Sequence, residues 1–481
     1  MASFEKTNRR AFLKASALAG AGIALSSAKR ATGSTQPSKV ILAAVPIAAS
    51  QAAKQAALRH VLEASGAAAI GSQQAVTVKV ACNSINPFPA TSSPFSAAET
   101  ALWAAEQTGA MVTVGDHSGT YPIGSEIERG GLHQDSYDAM VRAGIAPTVA
   151  KIAKQSGQKI RLRAFDHPDG TPKRLIHTDE AYAYPYQITL VPGAARWARD
   201  LKGHAQQDLA LIVANAKNSD VYGAELANAW QTIKTQETVP PQMGIIELTK
   251  AVADDVYFIN VARISHHIQA GISYSMKSLV GIINFRSRVR MHFKLPKNKF
   301  FIPFGGALEG AGDLQNVIAE IGLARSPELN VIDATQIQLN LGPDQGQSFA
   351  LGEQLGADQK YHLFMGSTDM VALDAAALAV HKYAYARFRD GRVFRASLPV
   401  TGKHLNPKSV VWDNAMIHTA GEVGLGARNG DDVDLKTRSK YRNFSDFPWL
   451  RAYVRVELNR EGGGKSDSFD EIETTSQGCG A

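Results

Sequence analysis

The chain has 481 residues, 44% apolar and 20% charged, the balance of a folded protein with a sizeable core; a disordered chain, a collagen-like fibre and a multi-span membrane protein are excluded. Two cysteines, Cys82 and Cys479, are too few for a zinc knuckle, a redox pair, a four-cysteine iron–sulfur frame or a disulfide-stapled fold. The formal charge is +7, but Lys6, Arg9, Arg10 and Lys14 stand against Glu5 alone in the first 28 residues, so the remaining body is too weakly basic to imply nucleic-acid binding.

The first element belongs to targeting rather than to a fold. Thr7-Asn8-Arg9-Arg10-Ala11-Phe12-Leu13-Lys14 resembles the twin-arginine export signal. The Ala- and Gly-rich stretch Ala15–Leu25 that follows is too short and too weakly apolar for a stable membrane span. Ser26-Ser27-Ala28 supplies the small residues of a cleavage site. The expectation is a signal over 1–28, a linker over 29–38 and the twin-arginine translocase as a partner during export. The protein would be delivered folded to a periplasmic or extracellular location, with an uncleaved, anchoring signal as the alternative. That route suits proteins that acquire a cofactor before export, leave as a complex or fold fast.

From Lys39 the pattern alternates between strands and helices. Lys39–Pro46 reads as a strand, Ala49–Ala67 as a helix and Val76–Ala81 as a strand. Ser96-Ala97-Ala98-Glu99 has the form of a capping box, predicting a helix from there to about Thr108. Met111–Val114 is the next strand, and strand–helix–strand at this spacing predicts parallel pairing. Gln158–Phe165, Tyr186–Val191, Asp208–Val213, Asp255–Val261, Leu329–Asp333 and Tyr361–Gly366 read as further strands. Ala224–Thr235 and about Met370–Arg387 read as helices. The expected fold is α/β, one large domain over 39–460 with a mostly parallel central sheet and flanking helices. An inserted subdomain is expected around 120–245 and a flexible tail over 461–481.

Open α/β sheets bind ligands at the carboxyl ends of their strands. That rule selects Asp116-His117, Ser265-His266-His267 with Lys277, Asp333, and Ser367-Thr368-Asp369 with Asp374. Carboxylates, imidazoles and a lysine are the groups that hold metals or move protons. Each also has a simpler use. Asp369 is a natural helix N-cap, and Asp374, five residues on, points about 140° away on an ideal helix. Asp116 suits a turn, and adjacent histidines on a strand face opposite ways. Arg286, Arg288, Arg290, Lys294, Lys297 and Lys299 form a basic segment that would hold a phosphate or carboxylate, or blunt a sheet edge. HExxH, GxSxG and P-loop motifs are absent from the sequence.

The motif order resembles the DUF362 family over roughly residues 38–430. The residues that carry it are Val78 to Asn83-Ser84, Gly115-Asp116, Asp255-Val256 through Asn260, Ile264-Ser265-His266, Gly271 and Lys277-Ser278-Leu279-Val280-Gly281. They continue with Val331-Ile332-Asp333, Gly342-Pro343-Asp344-Gln345-Gly346, the Asp369-to-Asp374 signature after Gly366, and Gly424-Leu425-Gly426. The family's turn lysine is replaced in Arg263-Ile264-Ser265-His266, and Ser278 stands where the family has Asn. The ferredoxin-like cysteine clusters of some members are missing, so an iron–sulfur cluster is not expected.

These readings converge on one expectation: a polar site at the strand ends. Asp116, His266 and Lys277 are its candidate catalytic residues, and Asn83, Gly342, Gly346 and Arg288 its candidate ligand-binding positions. Asp333, Asp369 and Asp374 are its candidate ligands for a divalent metal. An exported enzyme of unassigned reaction and a non-catalytic exported protein that binds a small anion or metal both fit; a scaffold fits less well.

Overall fold

The computed structural model describes residues 37–82, 86–118, 136–165, 186–190, 245–253, 255–267, 270–283, 311–339, 342, 347–388, 405, 409–438 and 446–461. The chain divides into Met1–Pro37 and a main unit, Ser38–Ala481, to which every element below belongs. The expected signal and tail, Asp208–Val213, Ala224–Thr235, Asn83, Gly346 and the basic segment with Arg288 lie outside the described residues.

β1 (Ser38–Pro46) leads into α1 (Gln51–Ala64), whose first turn is closed by Ser50 accepting the Ala53 N–H. β2 (Val76–Val80) is followed by α2 (Pro94–Gln107) and β3 (Val112–Asp116). α2 starts two residues before the expected capping box. Ser93 is the cap, accepting the Ser96 N–H at 3.4 Å, because Pro94 at the first position has its φ set for a helix and no N–H to lose. Ser96 is thereby released for another contact. α3 (Ser136–Arg142), α4 (Ile145–Ser156) and β4 (Ile160–Ala164) come next, and β4 pairs with β3. Residues 136–165, within the span expected to be an insertion, thus extend the main sheet. β5 (Tyr186–Leu190) and β6 (Ile245–Thr249) form a separate antiparallel pair.

β7 (Tyr257–His267) folds back through β8 (Gly271–Ser273) into the short α5 (Ser275–Ser278) and a 3₁₀ turn, Leu279–Ile282. α6 (Ala311–Ala324), β9 (Leu329–Gln338), β10 (Ser348–Ala350) and β11 (Tyr361–Ser367) precede the long α7 (Met370–Arg387). α8 (Ala415–Glu422), β12 (Val433–Arg438) and α9 (Asp446–Leu458) complete the described chain.

The main sheet runs β12-β1-β11-β9-β7-β2-β3-β4, with β10 and β8 paired to β9 and β7. From β9 to β4 the strands are parallel; β11 is antiparallel to both β9 and β1. Alternating side chains feed two apolar cores. Val40, Leu42, Phe258, Ile264 and Ile332 join α5, α7, α8 and α9 on one face. Ile41, Val76, Val78, Ile259 and Val331 join α1, α2 and α4 on the other. Helices on both faces bury the central parallel strands β7, β2 and β3 along their whole length, while β4 at the edge is only partly covered.

Two strands are longer than the sequence suggested, and this moves candidate residues. β7 continues through His266, which therefore lies within a strand rather than in a turn after it. β9 continues to Gln338, so Asp333 is in mid-strand. Asp369 follows β11, which runs opposite to β9, so it leaves the sheet at the edge where the parallel strands begin. In β7 and β9 the apolar run ends before the strand does, because polar residues inside a doubly covered sheet hide its true length.

Candidate functional site

A row of buried polar side chains crosses the sheet. Lys79 on β2 is in register with Asn260 on β7, and Asn260 with Asn330 on β9; all three are fully buried. Their neighbours Val78, Val80, Ile259 and Val331 point into the opposite core, so the row faces α5 and α7. Next to Lys79, β3 contributes Gly115.

The segment from Ser275 to Ile283 lies across this row and is stitched to it at each step. Asn260 donates to the Ser275 carbonyl at 2.9 Å and to Asn330 Oδ1 at 3.1 Å. The Ser278 hydroxyl donates to Asn260 Oδ1 at 2.9 Å and accepts from Lys79 Nζ at 2.8 Å. Beyond it, the His117 N–H donates to the Gly281 carbonyl at 3.2 Å, and His117 Nδ1 lies 3.0 Å from the Ile283 carbonyl. A carbonyl only accepts, so Nδ1 carries a proton. Gly281 must be glycine here: a Cβ would overlap Asp116 Oδ1 and the Lys79 ammonium. The segment therefore runs over β7, β2 and β3 toward the carboxyl end of β3, and it carries Lys277, itself only 4% exposed.

Asp116 ends β3 and is buried. Its Oδ1 lies 3.2 Å from Lys79 Nζ, and its Oδ2 accepts the Cys82 N–H at 2.7 Å. Burial, with the Asp116 charge adding to it, pushes the Cys82 thiol far above its usual range. Asp374, on α7, meets the same segment from above. Its Oδ1 accepts the Ser275 N–H at 2.9 Å and also the Ser275 hydroxyl; its Oδ2 accepts the Met276 N–H at 3.0 Å. Burial raises Asp374 to about 7 despite these donors. Two turns further along α7, His381 Nδ1 lies 2.7 Å from the Tyr274 hydroxyl. Burial, then repulsion from the imidazole of His266, lowers His381 to about 3. Burial first, and Asp374 second, pushes Tyr274 well up.

The other acids sit elsewhere. Asp333 is on the second face, accepting from Ser96 at 2.7 Å through Oδ2 and from the Thr335 N–H and hydroxyl through Oδ1, at 3.0 and 2.5 Å. Its register partner is the buried Arg263, which donates to the Pro89 carbonyl at 3.1 Å. Asp369 caps α7 through the Val371 and Ala372 N–H groups at 2.8 and 2.9 Å, and accepts from Ser38 and from the Ala427 N–H at 2.7 and 2.9 Å. A Cβ at Gly426 would overlap the same carboxylate, so the Gly424-Leu425-Gly426 motif wraps Asp369. Gly342 packs its α-carbon against the His266 carbonyl, where a Cβ would also overlap.

Asp116, Lys277 and Asp374 thus meet at one segment, whereas His266 is linked to it only by its electrostatic effect on His381, which bonds Tyr274 just before that segment. Asp333, Asp369 and Asp374 do not converge, so the expected carboxylate metal site does not assemble from these three. Among the described residues, no group of three or more His, Cys, Asp and Glu side chains is placed to hold a metal ion. No helix among them is long and apolar enough to cross a membrane.

Ser275 and His381 were not singled out from the sequence, and Lys79, Asn260 and Ser278 entered only as motif letters. For Lys79 a signal existed: a lysine between Val78 and Val80 in a strand covered on both faces has no route to water and must find a buried partner.

Residues 211–379 match the family model described as a domain of unknown function, DUF362. The match runs from before β6 into α7 and contains His266, Lys277, Asp333, Asp369 and Asp374, while Lys79, Asp116 and the Gly424–Gly426 motif lie outside it. No curated protein matches the chain.

Proposed function

We propose, on the match of residues 211–379 to the DUF362 family model, that the chain is an exported protein that binds a small anion where the Ser275–Ile283 segment crosses β7, β2 and β3. The observation that carries the reading is Lys277, a nearly buried lysine in a segment pinned at both ends to the sheet and to α7. A lysine fixed in low-dielectric surroundings binds an anion more strongly than one in water. The acids argue in the same direction: Asp116, Asp333, Asp369 and Asp374 all direct their oxygens at protein N–H, O–H or ammonium groups, as carboxylates that organise backbone do. The amino-terminal Arg9-Arg10 motif supports export of the folded protein, and the main unit begins at Ser38, beyond the expected cleavage residues.

Turnover of the bound anion is a second reading. It rests on His117, whose Nδ1 donates to the Ile283 carbonyl beside the crossing segment, the tautomer that in a neutral imidazole makes Nε2 the basic nitrogen.

Thermal denaturation of the protein with inorganic phosphate, pyrophosphate and succinate tests the binding. At least one anion should raise the midpoint in a saturable way, by the equivalent of about 2.7 kcal/mol at a hundredfold excess over Kd. Lys277→Met should abolish the rise. No stabilisation by any of the three, or equal stabilisation of Lys277→Met, overturns the reading. For export, replacing Arg9 and Arg10 by lysine should retain the folded protein in the cytoplasm; unchanged export contradicts it.

A further inference from the structure

We infer that Asp374 is a positioning residue for Lys277, holding the amino terminus of the helix that carries it. The inference rests on the anion-site reading for its functional consequence, but its structural core stands on α5 itself. A helix of four residues has no stability of its own, because nucleation is unfavourable and its first N–H groups have no partner within it. The Asp374 carboxylate supplies those partners. It takes the Ser275 and Met276 N–H groups on separate oxygens and the Ser275 hydroxyl as well.

The other end is held from the opposite side. Ser278 is fixed by Lys79 and Asn260, and the Ser275 carbonyl by Asn260. Lys277 lies between these two clamps. Both are built on rigid elements: Asp374 on α7, which is buried from Met370 to Ala384, and Lys79 and Asn260 on central strands. Such a division, in which the group that meets the ligand is held by others that do not, is how a site keeps its geometry to a fraction of an ångström. Asp374 touches backbone on both oxygens, so its effect on a ligand passes through Lys277.

Phosphate calorimetry paired with amide exchange separates positioning from general stability. Asp374→Asn keeps the volume but presents only one accepting oxygen. It should weaken phosphate binding about tenfold, where Lys277→Met abolishes it, and loosen the start of α5. Unchanged phosphate affinity in Asp374→Asn, or a tenfold loss with native amide exchange at Ser275 and Met276, overturns the inference. Ser275→Ala, which removes only the hydroxyl contact, should give a smaller loss in the same direction and serves if Asp374→Asn fails to fold.

Two further readouts need no ligand. Amide exchange at Ser275 and Met276 should accelerate in Asp374→Asn while α7 stays protected, and Lys277 should become reactive to an amine-directed label. Native protection and an unreactive lysine in the variant refute the clamp. If wild-type protein binds no phosphate while both of these changes appear, the anion reading fails and the clamp stands.

Discussion

Asp369 and Asp374 lie five residues apart around the start of one helix and work on opposite sides of it. Asp369 caps α7 and gathers Ser38 and Ala427 at the edge where the parallel strands begin. Asp374 faces into the molecule and holds the start of α5 over the buried polar row. Both accept backbone N–H groups through both oxygens or through one shared by two donors. The difference teaches that an Asp-x-x-x-x-Asp signature need not be a ligand pair: the helix turns the second acid away from the first, and each ties a different distant segment to α7.

The sharpest way to break this comparison is to remove the ammonium beneath the crossing segment. Lys79→Met leaves the Asp116 carboxylate buried without its cation and should cost about 3–5 kcal/mol in urea denaturation. A loss under 1 kcal/mol would show that the polar row does not depend on this pair. Asp369→Ala is expected to cost about 2 kcal/mol, the upper range for a lost helix cap, and to leave phosphate affinity unchanged. If Asp369→Ala weakened phosphate binding as much as Asp374→Asn does, the distinction between the two acids would fail.

The smallest net effect is a pH dependence in which two groups oppose each other. Asp374 is raised from 3.8 to about 7 by burial, so between those values the folded state binds the proton and its contribution to stability is lost as pH rises. His381 is lowered from 6.5 to about 3, also by burial, so there the unfolded state binds the proton and stability is lost as pH falls. The windows overlap and the slopes have opposite sign. Native protein should change little between pH 4 and 6.5 from these two groups. Asp374→Asn should become less stable than expected toward acid, and His381→Gln less stable toward neutrality. Parallel pH profiles for the two variants would refute the assignment.

The strand–helix alternation was legible because it rests on apolar periodicity, and β1, β2, β11 and α7 lie within a residue or two of where the pattern put them. The polar interior was not. Ser265 and Asp333 read as positions past or at strand ends, since polar residues ordinarily stop a buried strand; here they are satisfied across the sheet or by Ser96 of a covering helix. Ser96 looked like a cap because the sequence does not say that Ser93 and Pro94 start the helix first. The shared site of Asp116, Lys277 and Asp374 required knowing that α5 crosses β2 and β3, a long-range fact that no local spacing contains. The direction of β11 was equally hidden, and it alone sends Asp369 to the other edge.

The proposal that Lys277 is the anion-binding group of the crossing segment stands or falls on a crystal structure of the protein grown with arsenate, located by its anomalous scattering. Arsenate is expected within hydrogen-bond distance of Lys277 Nζ, with Ser275 and Met276 still bonded to Asp374. Arsenate bound at full occupancy elsewhere, with none at Lys277, would contradict it.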